Sequence, residues 1–294
     1  MFTFYAFGDW GKNNQDFADS MASYGSPDFI LALGDNFYPY GVQSVDDEAF
    51  QTSWSYPFLR HANLRRPWHV VLGNHDYMAN PVAQVDFTFS KRNVGGFWQM
   101  PARNYTFQRG DVAFFALDTN GVQGHVRRDH KEQERQLFAN IEWLDGELQK
   151  SRAKWKIVFG HHPMYTNGSE HGVLGRCLKD KTYSFQNKGQ IVTCKGYGLE
   201  DVLVKHGVHA YLCGHEHVFQ HKAARGVHHF VAGASVEYKF YGDMGLPVVD
   251  WYDDSGHTGF LIVEVSDVLC VKFVGKRPGE ELKVIREVTI HSKS

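Results

Sequence analysis

Phe29-Ile30-Leu31-Ala32-Leu33-Gly34-Asp35-Asn36-Phe37-Tyr38 holds the grammar of the whole chain: an apolar run, a glycine, a carboxylate and, three positions on, a phenol. Runs apolar at consecutive positions and bounded by turn residues suit strands buried on both faces. Four more runs follow the same rule, at residues 2–7, 69–72, 155–159 and 208–213. Each stops at a glycine followed by a potential metal ligand: Gly8-Asp9, Gly73-Asn74-His75, Gly160-His161 and Gly214-His215-Glu216-His217. Glycine lets the backbone turn sharply without a Cβ clash. In open α/β sheets, ligands bind at the carboxyl ends of strands, where these side chains are expected.

Taken singly, Asp9 or Asp35 is a turn former or a helix cap, and Asn74 is a turn residue. Taken together, carboxylates, imidazoles and an amide gathered at strand ends call for a cation. The 17 histidines of the chain fit that reading, since histidine is the commonest metal ligand.

Around these blocks the sequence alternates strand and helix. Leu137, Ile141, Leu144 and Leu148 keep the spacing of one helix face, as do Phe17, Met21 and Tyr24 after the first strand. This argues for βαβ units and a largely parallel sheet. Residues 105–108 and 112–117 read as a hairpin turning at Arg109-Gly110-Asp111. Beyond residue 226 the strands at 228–232, 259–265, 268–274 and 282–289 follow one another with little helix, which suits a second, more antiparallel sheet packed on the first. With no repeat, low-complexity stretch or linker, residues 1–294 are expected to form a single domain.

Composition removes several function classes. The net charge of −2 excludes a polyanion-binding tail or stripe, so no nucleic-acid partner is expected. No apolar run reaches the roughly 20 residues of a membrane span, and no membrane partner is expected. Four cysteines without a CxxC pair do not make a disulfide-built scaffold. The first residues read as a strand rather than a signal peptide. Asn104-Tyr105-Thr106 and Asn167-Gly168-Ser169 are glycosylation-type triplets, weakly in favour of a secretory origin.

As a set, Gly8-Asp9-Trp10-Gly11, Gly34-Asp35-Asn36-Phe37-Tyr38, Gly73-Asn74-His75-Asp76, Gly160-His161-His162-Pro163 and Gly214-His215-Glu216-His217 resemble the signature of the purple acid phosphatases, within the calcineurin-like metallophosphoesterases. The small tartrate-resistant type is nearest in length and wording, and the likeness runs from residue 4 to about residue 265. Gly11, where many relatives carry a histidine, and Tyr38 mark the purple branch.

The resemblance implies an α/β fold, a four-layer α/β/β/α sandwich of two mixed β-sheets flanked by helices. It also implies a dinuclear centre. Asp9, Asp35, Tyr38 and His217 would hold Fe(III); Asp35 as a bridge, Asn74, His161 and His215 would hold a divalent iron, zinc or manganese. Hard oxygens suit the trivalent ion, and imidazole with a neutral amide suits the divalent one. His161 rather than His162 is the ligand, because the family pattern is His-x-Pro. Charges of about +5 on the ions against about −3 on their ligands, with a bridging hydroxide, leave roughly +1 to attract a phosphate monoester. Direct attack of a metal-bound hydroxide would hydrolyse it, with an acidic optimum expected. His75 and His171 are the candidate proton donors to the leaving group.

The implied substrate is a small phosphomonoester or a phosphoprotein, the implied state a monomer, and the implied compartment secreted or lysosome- or vacuole-like, with the cytoplasm still open. Residues 120–131, where the small animal enzymes carry a disulfide-closed regulatory loop, contain no cysteine; Arg127 and Arg128 there read as a solvated cluster or as substrate contacts. Cys177 matches a family cysteine and pairs with Cys194 or stays a thiol; Cys213 and Cys270 read as buried and inert. Tyr40 is a candidate stacking surface for an aryl or nucleotide leaving group. The rival activities are hydrolysis of diesters or nucleotide pyrophosphates, and the rival class is a catalytically idle iron-binding or interaction protein.

Overall fold

The five glycine-terminated runs become strands divided between two sheets, and each sheet mixes parallel and antiparallel pairing. A computed structural model describes residues 1–12, 14–125, 131–168, 172–187, 190–239 and 248–292. The first sheet is ordered β16 (Lys283–His291), β15 (Val268–Lys276), β14 (Thr258–Val265), β1 (Phe2–Phe7), β2 (Phe29–Ala32), β3 (Trp68–Val70) and β4 (Trp98–Gln99). The second is ordered β13 (Trp251–Tyr252), β11 (Phe219–Ala224), β12 (Val227–Ala232), β10 (Ala210–Cys213), β7 (Trp155–Phe159), β6 (Val112–Ala116) and β5 (Tyr105–Arg109). A separate hairpin pairs β8 (Thr182–Asn187) with β9 (Gln190–Lys195) outside both sheets.

Two expectations need correction. The five runs do not share one sheet, and the late strands do not all join the second. Of the four late strands read from the sequence, β12 alone lies there, parallel to β10, whereas β14 pairs antiparallel with β1 and carries β15 and β16 with it. The Gly259 to Val263 stretch of β14 is buried throughout, as a strand inside a layered core must be.

Phe4 and Phe29 of the first sheet meet Phe114 of the second edge-on at 5.4 and 5.3 Å, and Phe107 stacks on Phe114. Alternate residues of β6 turn the other way: Ala113 and Phe115 join Leu137, Ile141, Leu144 and Leu148 in a separate apolar cluster. Those leucines and the isoleucine belong to α3 (Lys131–Lys150), and α4 (Leu199–Lys205) adds Leu199 and Leu203. The opposite face is covered by α1 (Gln15–Tyr24) and α2 (Tyr56–Leu59), whose Phe17 and Phe58 pack on Phe7. Helices therefore flank both sheets, giving four layers.

Where the sheets converge, Gly8 N donates to Ala232 O at 2.9 Å. A Cβ on Gly8 would lie only 3.0 Å from Gly214 Cα, so two of the signature glycines are what let the layers close there.

Neither glycosylation-type triplet offers a free asparagine. Asn104 Nδ2 donates to Asn140 Oδ1 at 2.8 Å, and Asn167 is 1% exposed with its Oδ1 accepting from Val248 N and Val249 N. Cys213 is buried, Cys270 is half-buried, and the Cys194 side chain lies outside the described residues. Among the described residues, no helix is long and apolar enough to cross a membrane.

Burial also sets the response to acid. His69 stacks on Phe107 at 3.6 Å, and burial pushes its pKa down to about 3. The unfolded imidazole therefore takes its proton first, near its ordinary value of about 6.5. The stability contribution is complete above that value and is lost as pH falls toward the folded value. At about pH 5 the loss is about 2 kcal/mol. His69→Phe, which keeps the stacking, should lose about 4 °C less in Tm between about pH 7 and pH 5 than the parent, read by calorimetry. Parallel curves would refute this.

Candidate metal centre

Asp9 follows β1, Asp35 follows β2 and Asn74 follows β3, while His161 follows β7 and His215 and His217 follow β10. β1, β2 and β3 run parallel in register, with Phe7 opposite Ala32 and Ala32 opposite Val70; in the other sheet Phe159 of β7 lies opposite Leu212 of β10. The strand ends of both sheets thus open on one place. Backbone strain is concentrated there: Asp9 (φ 60), Asp35 (φ 53) and His215 (φ 71) all occupy the left-handed region. Each such residue costs about 1 kcal/mol or more and persists where surrounding structure enforces it.

The donor atoms fall into two groups. In the first, Tyr38 OH lies 3.1 Å from Asp9 Oδ1, 2.9 Å from Asp35 Oδ2 and 3.2 Å from His217 Nε2, and His217 Nε2 lies 3.4 Å from Asp9 Oδ1. In the second, His161 Nε2 lies 3.2 Å from Asn74 Oδ1, 3.2 Å from His215 Nδ1 and 3.5 Å from Asp35 Oδ1. Donors about 2.1 Å from a cation stand about 3.0 Å apart on an octahedron and about 3.4 Å apart on a tetrahedron. Both groups match such edges, and Asp35 gives one oxygen to each. These residues fit two cations sharing a carboxylate.

Electrostatics points the same way. Asp9 and Asp35 are 1% and 2% exposed. Burial, joined by the charge of Asp9, holds the Asp35 carboxyl above the usual range. Burial works on Asp9 too, but the His217 hydrogen bond and the charges of His161 and His217 outweigh it and hold that carboxyl low. The Tyr38 phenol is pushed far up by burial and by both carboxylates. A cation would reverse these penalties, because it stabilises every anionic donor at once.

Several supports were not read from the sequence. Asp76, fully buried, accepts from Gly73 N, Asn36 N, Phe37 N and Gln84 Nε2, tying the Asp35–Tyr38 loop to the Asn74–His75 loop. It stood in the quoted Gly73-Asn74-His75-Asp76 block, but nothing in its spacing shows which donors surround it. Thr119 Oγ1 accepts from His161 N and His162 N and lies 2.9 Å from His162 Nδ1. Leu33 O accepts from His161 Nδ1 at 2.8 Å, leaving Nε2 as the bare nitrogen facing Asn74 and Asp35. His162 is buried, its ring 4.5 Å from that of His215.

His75 is 29% exposed at the rim; its N donates to Asp35 Oδ1 at 2.9 Å and its Nδ1 donates to Pro39 O at 2.7 Å. Nε2 then faces inward, 4.0 Å from Asp35 Oδ2. His171 lies outside the described residues, as do Arg127 and Arg128. Tyr40 is 66% exposed, whereas Trp54 and Phe58 are core residues.

The sequence profile described as calcineurin-like phosphoesterase matches residues 2–219, the span that carries all seven donor side chains. The chain belongs to the calcineurin-like phosphoesterases. Within them its relatives are purple acid phosphatases, and this phosphoesterase is by membership a phosphoester hydrolase. Purple acid phosphatase 7 of Arabidopsis thaliana is 31% identical over 246 residues, covering 78% of this chain and 68% of that protein. Human tartrate-resistant acid phosphatase type 5 is 32% identical over 258 residues, covering 79% and 72%. Among solved structures, the GAP50 anchor of the Plasmodium inner membrane complex superposes with a TM-score of 0.74 at 21% identity, covering 100% of this chain and 89% of that one. That last likeness speaks for the fold alone.

The phosphoesterase centre leaves no room at Gly73, where an added Cβ would collide with Asp35 Oδ1 and Asp35 N. Gly73→Ala must displace the shared carboxylate. Overpacking of this kind costs about 1–3 kcal/mol, so a lower Tm is expected together with loss of bound metal. Full metal content by mass spectrometry in that variant would contradict the geometry.

Proposed function

We propose that this phosphoesterase hydrolyses phosphate monoesters, small molecules or phosphoproteins, at a dinuclear centre pairing Fe(III) with a divalent iron, zinc or manganese ion. Asp9, Asp35, Tyr38 and His217 would hold the ferric ion, and Asp35, Asn74, His161 and His215 the divalent one. The observation that carries this reading is the pair of donor groups sharing Asp35, with a phenol in only one of them. When bound, such a pair supplies a water of lowered pKa for direct attack and a clamp on the phosphoryl oxygens.

The remaining work falls to the chain. The imidazoles and amide of the second group bring no negative charge, so that side is less negative than the Asp9–Tyr38 side and an anionic ester is drawn toward it. The Leu33 carbonyl fixes the His161 tautomer, and Asp76 fixes the spacing of the two loops. His75 stands where a leaving oxygen would emerge. Its Nδ1–H is committed to Pro39 O, so Nε2 is the atom that carries a proton to that oxygen. His171 remains a second candidate donor on the strength of the sequence alone.

The test combines metal analysis with an aryl-phosphate assay. Two ions per chain, at least one of them iron, visible colour from an iron–phenolate pair, and faster hydrolysis of an aryl monoester than of a diester are expected. An optimum on the alkaline side, or preference for the diester, would overturn the acid-phosphatase reading.

A further inference from the structure

Glu237 stands behind His217. With Nε2 of that ring turned to Tyr38 and Asp9, the other nitrogen, Nδ1, is buried and has no hydrogen-bond partner among the described residues. Glu237 Oε2 lies 3.9 Å from it. The carboxylate is gripped from two sides, by Lys12 Nζ at 2.5 Å on Oε2 and by Lys239 Nζ at 2.9 Å on Oε1. Lys239 N also donates to His217 O at 2.9 Å, tying this segment to the histidine's own backbone, and Lys12 Nζ sits 5.1 Å from the centre of the Tyr38 ring.

We propose that Glu237 is a positioning residue for the first cation, accepting the Nδ1 proton of His217 once Nε2 holds that cation. The proposal rests on the dinuclear reading above. A cation on one imidazole nitrogen polarises the ring and makes the opposite N–H a stronger donor, and ligand histidines almost always hand that proton to a carboxylate, carbonyl or water. A charge-assisted bond needs about 2.8 Å, so the oxygen has to move about 1 Å. The Glu237 side chain is 32% exposed and has room to do so. Ion pairs with Lys12 and Lys239, one on each carboxylate oxygen, favour the anionic form as the acceptor. Lys12 and Lys239 thus keep a charged acceptor in place, and Lys12 links it to the phenol of the same donor group.

The test follows metal retention rather than turnover. Parent, Glu237→Gln and Glu237→Ala proteins carrying both ions are challenged with a chelator, and metal per chain is followed by mass spectrometry. In both variants one ion should leave about tenfold faster or more, while the second leaves at the parent's rate. The Tm of the stripped variants should match the stripped parent, which separates loss of a ligand's support from loss of fold. Unchanged retention, or equal acceleration of both ions, overturns the role of Glu237. A parent that holds fewer than two ions instead overturns the dinuclear reading on which it rests.

Discussion

Asp35→Asn should silence the enzyme while leaving the stripped protein no less stable. Asp35 is the only donor that belongs to both groups, with Oδ2 at 2.9 Å from Tyr38 OH and Oδ1 at 3.5 Å from His161 Nε2. An amide supplies one good acceptor and no charge, so it can serve one cation and not two. Losing an outer partner of a metal ligand costs up to about 100-fold; losing the shared ligand itself should exceed that in kcat/KM. Metal content should fall from two ions toward one or none. Stability moves the other way. Two carboxylates buried together repel, and burial with the charge of Asp9 makes the Asp35 anion unfavourable when no cation is bound. Asparagine removes that penalty and keeps an acceptor for His75 N. The stripped variant should therefore melt at or above the stripped parent, and a clear fall in Tm would count against this account.

His75→Ala should separate chemistry from metal binding. The contact that ties this residue to the bridging carboxylate is made by its backbone N, at 2.9 Å from Asp35 Oδ1, and alanine keeps it. What is lost is the ring at the rim and its bond to Pro39 O, worth about 1 kcal/mol in stability. Removal of a positioned proton donor lowers rates by about 10²–10⁴-fold. The expected result is normal metal content, nearly normal Tm and kcat down within that range on substrates with poor leaving groups. An aryl ester whose leaving group needs no proton should suffer much less. Equal losses on both substrates, or parental turnover, would remove His75 from the leaving-group side.

The sequence carried the site's chemistry further than its architecture. Glycine-terminated apolar runs were visible because central strands are short, continuous and punctuated. The residues after them were visible because ligand chemistry admits few side-chain types. The distribution of those strands between sheets was not visible. β14 and β12 have much the same composition, and only the partner each meets decides that one extends the first sheet beside β1 and the other lies beside β10. Supports such as Asp76, Thr119 and Glu237 act through contacts between residues far apart in the chain, so local pattern is silent about them. The Lys12–Glu237 contact spans 225 positions.

The seven donors are hung from two separate layers, four on one and three on the other. Bound ions would therefore rivet the sandwich shut, since one would join Asp9, Asp35 and Tyr38 of the first layer to His217 of the second, and the other would join Asp35 and Asn74 to His161 and His215. A chain cut between β4 and β5 would put four donors on one fragment and three on the other, with β14–β16 of the first sheet left on the later fragment; each would be inert alone, and the ions themselves would reward their reunion. Turnover in such a split protein would report, molecule by molecule, whether the sheets have docked.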